Sequence, residues 1–186
     1  MSITLFSSQT GSALKQELKE IFTALQTRDL LIEEIEDRLV EIVQTEPKLF
    51  TEFPVQTEQI SLAAVQEDWT LLPYVRIQTK AICLAAVQAN GLALAHARKQ
   101  SPEICATAVE SNPEAIQYAK RQTKELCLQA LEKDPWILSS IRYQNKELCL
   151  TAYQKDPDIL PLIIKDKIKA YCVSQSQDLL AESSQN

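Results

Sequence analysis

The chain has 186 residues, is 45% hydrophobic and 24% charged, and carries a net charge of −6. This is one domain's worth of sequence with apolar content ample for a continuous core, and no apolar stretch approaches the ~18 residues that span a bilayer. The negative charge is uneven: residues 1–58 hold 11 acids and 5 bases, residues 59–186 hold 14 of each, which argues against general phosphate binding at the N-terminal end. Only two glycines and few β-branched runs occur, so an all-α fold is expected.

Residues 1–11 read as a polar leader. MSITLFSSQTGS shows no basic region ahead of an apolar segment, so no secretory signal is expected there. Ser12 starts a helix with Leu14, Leu18, Ile21, Phe22 and Leu25 along one side. Thr27 or Asp29 starts another, striped by Leu31, Ile35, Leu39, Ile42 and Val43 and decorated by Glu33, Glu34, Glu36, Asp37 and Glu41. Residues 1–36 are therefore expected to be a leader and capping helices with a wet outer face, as terminal repeats require. An acidic docking surface for a basic partner is the sharper alternative. Residues 37–58 read as a degenerate first repeat, with Pro47, Leu49, Phe50 and Phe53 on second-helix columns but Arg38 and Glu41 spoiling the first.

From residue 59 the pattern is regular. Cys83, Cys105, Cys127 and Cys149 recur every 22 residues, with Ser61 in that place one period earlier. Ile60, Ile82, Ile104, Leu126 and Leu148 precede this column. Ala64, Ala86, Ala108, Ala130 and Ala152 follow it, then Val65, Val87, Val109, Leu131 and Tyr153. Apolar residues at i, i+1, i+4 and i+5 make one helix face, and an unvarying alanine marks a close neighbour. A second apolar helix follows in each period, on columns such as Leu71, Ala93, Ala115, Ile137, Ile159 and Leu72, Leu94, Ile116, Leu138, Leu160.

Two alternating cap columns separate the helices. Thr57, Thr79, Ser101, Thr123 and Asn145 precede the first helix, and Asp68, Asn90, Asn112, Asp134 and Asp156 precede the second, three of these with proline next. One long helix is excluded, since an interior proline costs roughly 3 kcal/mol or more. Two helices of about two turns are expected, each too short to stand alone. The expected architecture is an all-α solenoid of about six 22-residue helix-turn-helix repeats with an N-terminal helical cap: 37–58, 59–80, 81–102, 103–124, 125–146 and 147–168. The second helix of the last repeat is expected to be interrupted or to start late at Pro161. Lys165-Asp166-Lys167 opens a final helix through about Val173, so residues 169–186 are a helix end and a frayed polar tail.

The run E-[IL]-C-L-x-A-[VL] followed by [ND]-P-x-x-[IL] resembles, over residues 59–165, a short-repeat bacterial domain family known only as a domain of unknown function. Members occur in large secreted proteins of amoeba-associated intracellular bacteria and in giant viruses. The resemblance implies a helical-repeat fold and the setting of a bacterial effector, or of an adaptor that restrains one. It supplies no functional residues. In that setting the tail would be the place for a secretion signal.

Candidate sites are few. The cysteines lack the close C-x₂₋₄-C pairing of a metal site, and neighbouring helices at roughly 8–10 Å hold their Cα atoms beyond disulfide reach. They are expected to be buried core thiols in a reducing compartment. His96 is the only histidine, and no phosphate loop, H-E-x-x-H or G-x-S-x-G run occurs. No enzyme activity, metal or cofactor is expected. Gln56, Gln78, Gln100, Gln122 and Gln144 form a column just before the first-helix caps, expected to satisfy helix-end carbonyls of the adjacent repeat. The candidate for partner binding is a basic ladder on the second helix, Arg76, Arg98, Lys120 and Arg142, with Lys99 and Arg121 beside it and Tyr74, His96, Tyr118 and Tyr143 near. Its bland explanation is a solvated face paired with carboxylates such as Glu110, Glu114 or Glu132.

These features predict a non-enzymatic, cytoplasmic protein–protein interaction scaffold holding an acidic or extended protein surface, with delivery into a host cytosol if it is an effector. Nucleic-acid binding through the ladder is the alternative, and the overall negative charge counts against it.

Overall fold

The computed structural model describes residues 11–27 and 32–183, all of whose regular elements are helices, in two compact units, Met1–Ala89 and Asn90–Asn186. The first unit holds α1 (Gly11–Thr27), α2 (Ile32–Thr45), α3 (Glu58–Glu67) and α4 (Lys80–Ala89), with 3-10 helices at Pro47–Glu52 and Trp69–Tyr74. The second holds α5 (Pro102–Ser111), α6 (Lys124–Lys133), α7 (Lys146–Lys155) and α8 (Asp166–Ser183), with 3-10 helices at Gly91–His96, Pro113–Tyr118, Pro135–Ser140 and Pro157–Leu162. Within each unit the elements pack on their sequence neighbours: α2 on α3 and α3 on α4 in the first, α5 on α6, α6 on α7 and α7 on α8 in the second. This is a helical repeat array.

Both cap columns act as the sequence implies. Thr57, Thr79, Ser101 and Thr123 accept the backbone N–H three residues on at 3.3 Å, and Asn145 does so at 2.9 Å. Asp68, Asn90, Asn112 and Asp156 accept the N–H two residues on at 2.9 Å, and Asp134 at 2.8 Å. Each cap satisfies a donor that a helix start leaves orphaned. Ala64, Ala86, Ala108, Ala130 and Ala152 are completely buried, so the alanine column is the place of closest helix approach.

The second helix of each repeat is of the 3-10 type, not α. After six residues the chain turns extended at Val75, Ala97, Ala119, Ile141 and Ile163, and each N–H there bonds the carbonyl three residues back. Continuing an α-helix past Ala119 would need the Lys120 N–H on the Ile116 carbonyl. Instead it donates to the Gln100 side chain at 2.8 Å, while Ile116 O accepts the Gln122 amide at 3.0 Å. Side chains have taken both ends of the missing helical bond, which favours the tighter i→i+3 turn.

Three other expectations change. α2 runs through the 36/37 position, and its Leu39, Ile42 and Val43 supply the first helix of the first repeat. Arg38 does not spoil it: its guanidinium clamps α1 by bonding Glu17 through Nε (2.6 Å) and Nη2 (2.8 Å), and reaches Glu41 at 2.7 Å. These carboxylates raise the Arg38 pKa, the Glu17 hydrogen bond most, against a smaller opposing desolvation. Phe22 of α1 meets Phe53 edge-on at 5.9 Å, closing the same interface. Pro161 does not interrupt its 3-10 helix. It occupies the exposed place that Pro73 holds in Trp69–Tyr74, where its ring meets solvent. The final helix runs to Ser183 rather than Val173, because nothing in 174–183 breaks it: no proline or glycine occurs there. Of the expected leader, 1–11, Gly11 is the first residue of α1; residues 1–10, the helix start at Asp29, residue Leu31 and the last three residues of the tail lie outside the described residues, as do the side chains of Glu33 and Glu34.

Candidate functional site

The ends of the 3-10 helices and the turns after them carry every residue singled out for partner binding. Tyr74, His96 and Tyr118 are the last residues of their 3-10 helices, and Arg76, Arg98, Lys99, Lys120, Arg121, Arg142 and Tyr143 lie in the bends just beyond. The ladder is therefore not on the second helix. Six residues at three per turn end that helix two positions before each cation. All ten side chains are exposed, Tyr143 at 84%.

The glutamine column builds these turns. In the second unit Gln100 donates to Leu94 O (3.0 Å) in its own repeat and to Tyr118 O (3.1 Å) in the next. Gln122 does the same to Ile116 O and Ser140 O, both at 3.0 Å, and accepts the Arg142 N–H at 2.8 Å. Gln144 bonds Leu138 O (3.1 Å) and Leu162 O (3.0 Å) and accepts the Ile164 N–H at 2.9 Å. In the first unit Gln56 takes the Arg76 N–H at 2.9 Å and donates to Tyr74 O at 3.2 Å. Gln100, Gln122 and Gln144 each use both donors and an acceptor lone pair to rivet one turn to the next. The structural use of this column is what the structure displays.

The ladder cations extend the riveting. Lys120 Nζ donates to Arg98 O at 2.8 Å, and Arg142 donates to Ala119 O at 3.1 Å and Lys120 O at 3.3 Å. In the first unit Arg76 donates to Phe53 O at 3.2 Å and also to Pro54 O. Each reaches back to the carbonyls of the preceding turn. Glu110, which the sequence offered as a ladder partner, instead bonds Lys133 at 2.7 Å and Gln129 at 3.2 Å, and these contacts hold its carboxyl below the usual carboxylate range. Arg121 differs from its neighbours: among the described residues its guanidinium makes no hydrogen bond or ion pair.

Beside Lys120 and Arg121 a cleft of about 650 Å³ opens between α5 and α6. Its cause is legible in the columns. Ala106 stands where Leu62, Leu84, Leu128 and Leu150 stand in other repeats, and Pro102 stands where Lys80, Lys124 and Lys146 do. One repeat on, the corresponding space between α6 and α7 is about 130 Å³ and is lined by Lys124, which bonds Glu147 at 2.7 Å. Pro102 can form no such bridge to Glu125, the counterpart of Glu147. Ala106 and Pro102 were missed from sequence because agreement, not departure, defined each column.

The five cysteines are free and buried. Desolvation raises the thiol pKa of Cys105, Cys127 and Cys172, and pushes Cys149 up to about 11, with Cys172 adding to it. Neutral thiols are poor nucleophiles and poor metal ligands. Among the described residues no three His, Cys, Asp or Glu side chains gather where they could hold a metal, and no helix is long and apolar enough to cross a membrane.

Residues 101–144 match the family model of a domain of unknown function (DUF4116). The matched stretch runs from the Ser101 cap of α5 to Gln144, two repeats, and contains every residue lining the α5–α6 cleft except Gln100. No curated protein and no solved structure matches the chain.

Proposed function

We propose that this chain is a non-enzymatic scaffold that binds another protein through the turns of its second unit. One observation carries the reading: Lys120 and Arg142 are already tied to backbone carbonyls of the preceding turn, beside exposed Tyr118 and Tyr143. Side chains fixed before a partner arrives lose less entropy on binding. Tyrosine and arginine are also the residue types that dominate binding hot spots. An acidic or extended segment is the complement of such a face. The setting of a bacterial effector, or of an adaptor restraining one in a reducing cytosol, rests on the sequence resemblance alone.

A pull-down comparing wild type with a Tyr118→Ala/Tyr143→Ala double variant tests this. Reversing the ladder charges is a poorer probe, because a carboxylate at 120 or 142 would face the carbonyls that now accept hydrogen bonds. A protein captured by wild type, lost by the variant and resistant to nuclease supports the scaffold. Loss on nuclease treatment would replace it with nucleic-acid binding.

A further inference from the structure

We propose, resting on the scaffold reading, that the α5–α6 cleft seats one leucine-sized side chain of an extended acidic peptide in the partner, with a neighbouring peptide carboxylate on Lys120 and Arg121. The void has a defined size and origin: a leucine present in four other repeats is alanine at 106, and the lysine that would bridge across the mouth is Pro102. What the chain omits from itself it can accept from outside. The floor is apolar, formed by Ala106, Leu126 and the neutral Cys105 thiol, so an aliphatic side chain is the fitting guest.

The rim selects for anions. The Arg121 guanidinium is unengaged among the described residues, and Lys120 uses one donor on Arg98 O and keeps two. Glu125 is the one acid at the cleft. Its carboxylate is turned onto the start of α6, bonding its own backbone N–H and Thr123, which also holds its pKa down. Lys120 and Arg121 thus set two positive charges at the cleft against this one carboxylate, and a guanidinium is suited to a fork of two hydrogen bonds to a carboxylate. The space here, about 650 Å³, is several times that at the next interface, about 130 Å³.

The test titrates ¹⁵N-labelled full chain with the probe acetyl-Glu-Glu-Leu-Glu-Glu-amide. Saturable shifts are expected at Ala106, Arg121 and Leu126. Replacing the probe's leucine by alanine should weaken binding roughly tenfold or more, the factor for losing one buried leucine-sized group. Ala106→Leu should weaken it by a similar factor while melting no lower than wild type, because leucine already fits at four equivalent positions. Arg121→Ala should weaken it several-fold and flatten its salt dependence. Absence of saturable binding at millimolar probe, or equal binding of the leucine and alanine probes, overturns the proposal. So does undiminished binding by a folded Ala106→Leu. The two readings fail separately: if Ala106→Leu still captures a protein that the Tyr118/Tyr143 variant loses, the scaffold stands and the cleft assignment falls, whereas capture lost on nuclease treatment overturns the scaffold itself.

Discussion

The Oε1 of Gln122 accepts the backbone N–H of Arg142, one repeat on, at 2.8 Å. In an α-helix that N–H would bond Leu138 O, which here accepts the Gln144 amide instead. The same exchange recurs at Lys120 with Gln100, and at Arg76 with Gln56. One side chain thus ends a helix, shapes a turn and joins two repeats. Gln122→Leu keeps the volume but strands the Arg142 N–H and the Ser140 carbonyl, while Ile116 O keeps the Ala119 N–H; it should cost about 2–4 kcal/mol, since an unsatisfied polar group at a part-buried site costs about 1–3 kcal/mol. Gln122→Glu keeps the acceptor yet sets a carboxylate oxygen against two carbonyls. Its native pKa must rise, so its deficit relative to wild type should shrink as pH falls below about 5. Chemical denaturation of the three proteins at pH 7 and pH 4.5 measures both effects.

Much of this was legible because repetition turns spacing into geometry. The cap columns, the alanine column and the buried cysteines lie where their periodicity puts them, since each rests on a local rule repeated five times. The 3-10 form of the second helix was not legible. It depends on Gln100 and Gln122 reaching into the next repeat, a contact between residues about 20 positions apart. For the same reason the cations at 120 and 142 read as a binding ladder when their nearest acceptors are carbonyls of their own chain. The cleft was visible in principle, as Ala106 in a leucine column, but only when a departure is given as much weight as agreement.

Gly91 is where a side chain has no room. A Cβ built there would stand 2.2 Å from Ala108 O and 2.9 Å from Asn112 N, both backbone atoms of the next repeat. Its own N–H donates to Ser111 Oγ at 3.1 Å, fixing the approach. Gly91→Ala should destabilise by about 3 kcal/mol, because overpacking against backbone outweighs the fraction of a kcal/mol that alanine gains in helix propensity. A melting temperature equal to wild type would show that the Gly91–His96 segment can shift away from α5.

The buried thiols make an alkaline prediction whose sign is fixed. Cys149 is pushed up to about 11 by burial, and Cys172 is also raised, against an ordinary value of 9.0. The folded state therefore holds these protons after the unfolded chain has released them. Each contribution is complete below pH 9; that of Cys149 is lost as pH rises from about 9 through 11, with a slope of up to about 1.4 kcal/mol per pH unit. Cys149→Ser removes one titrating group, so its stability should fall less steeply over pH 9–10.5, whatever its stability at pH 7. Parallel slopes for the two proteins would show that Cys149 ionises as readily folded as unfolded.

Ala106 and Ala108, one residue apart from being neighbours on α5, should respond oppositely to the same change. Ala108 is completely buried at the closest helix approach, and Ala64, Ala86, Ala130 and Ala152 hold that place in the other repeats. Leucine there has nowhere to go and should cost about 1–3 kcal/mol. Ala106 borders the cleft, and leucine there would cover apolar surface now open to water. Burial of that order contributes about 1 kcal/mol or more, so Ala106→Leu should leave the melting temperature level or raised. Thermal denaturation of the two single variants gives the comparison. If both variants melt lower by similar amounts, the space beside Ala106 is not the leucine-shaped vacancy that the repeat columns describe, and α5 is packed as tightly on its outer side as on its inner one.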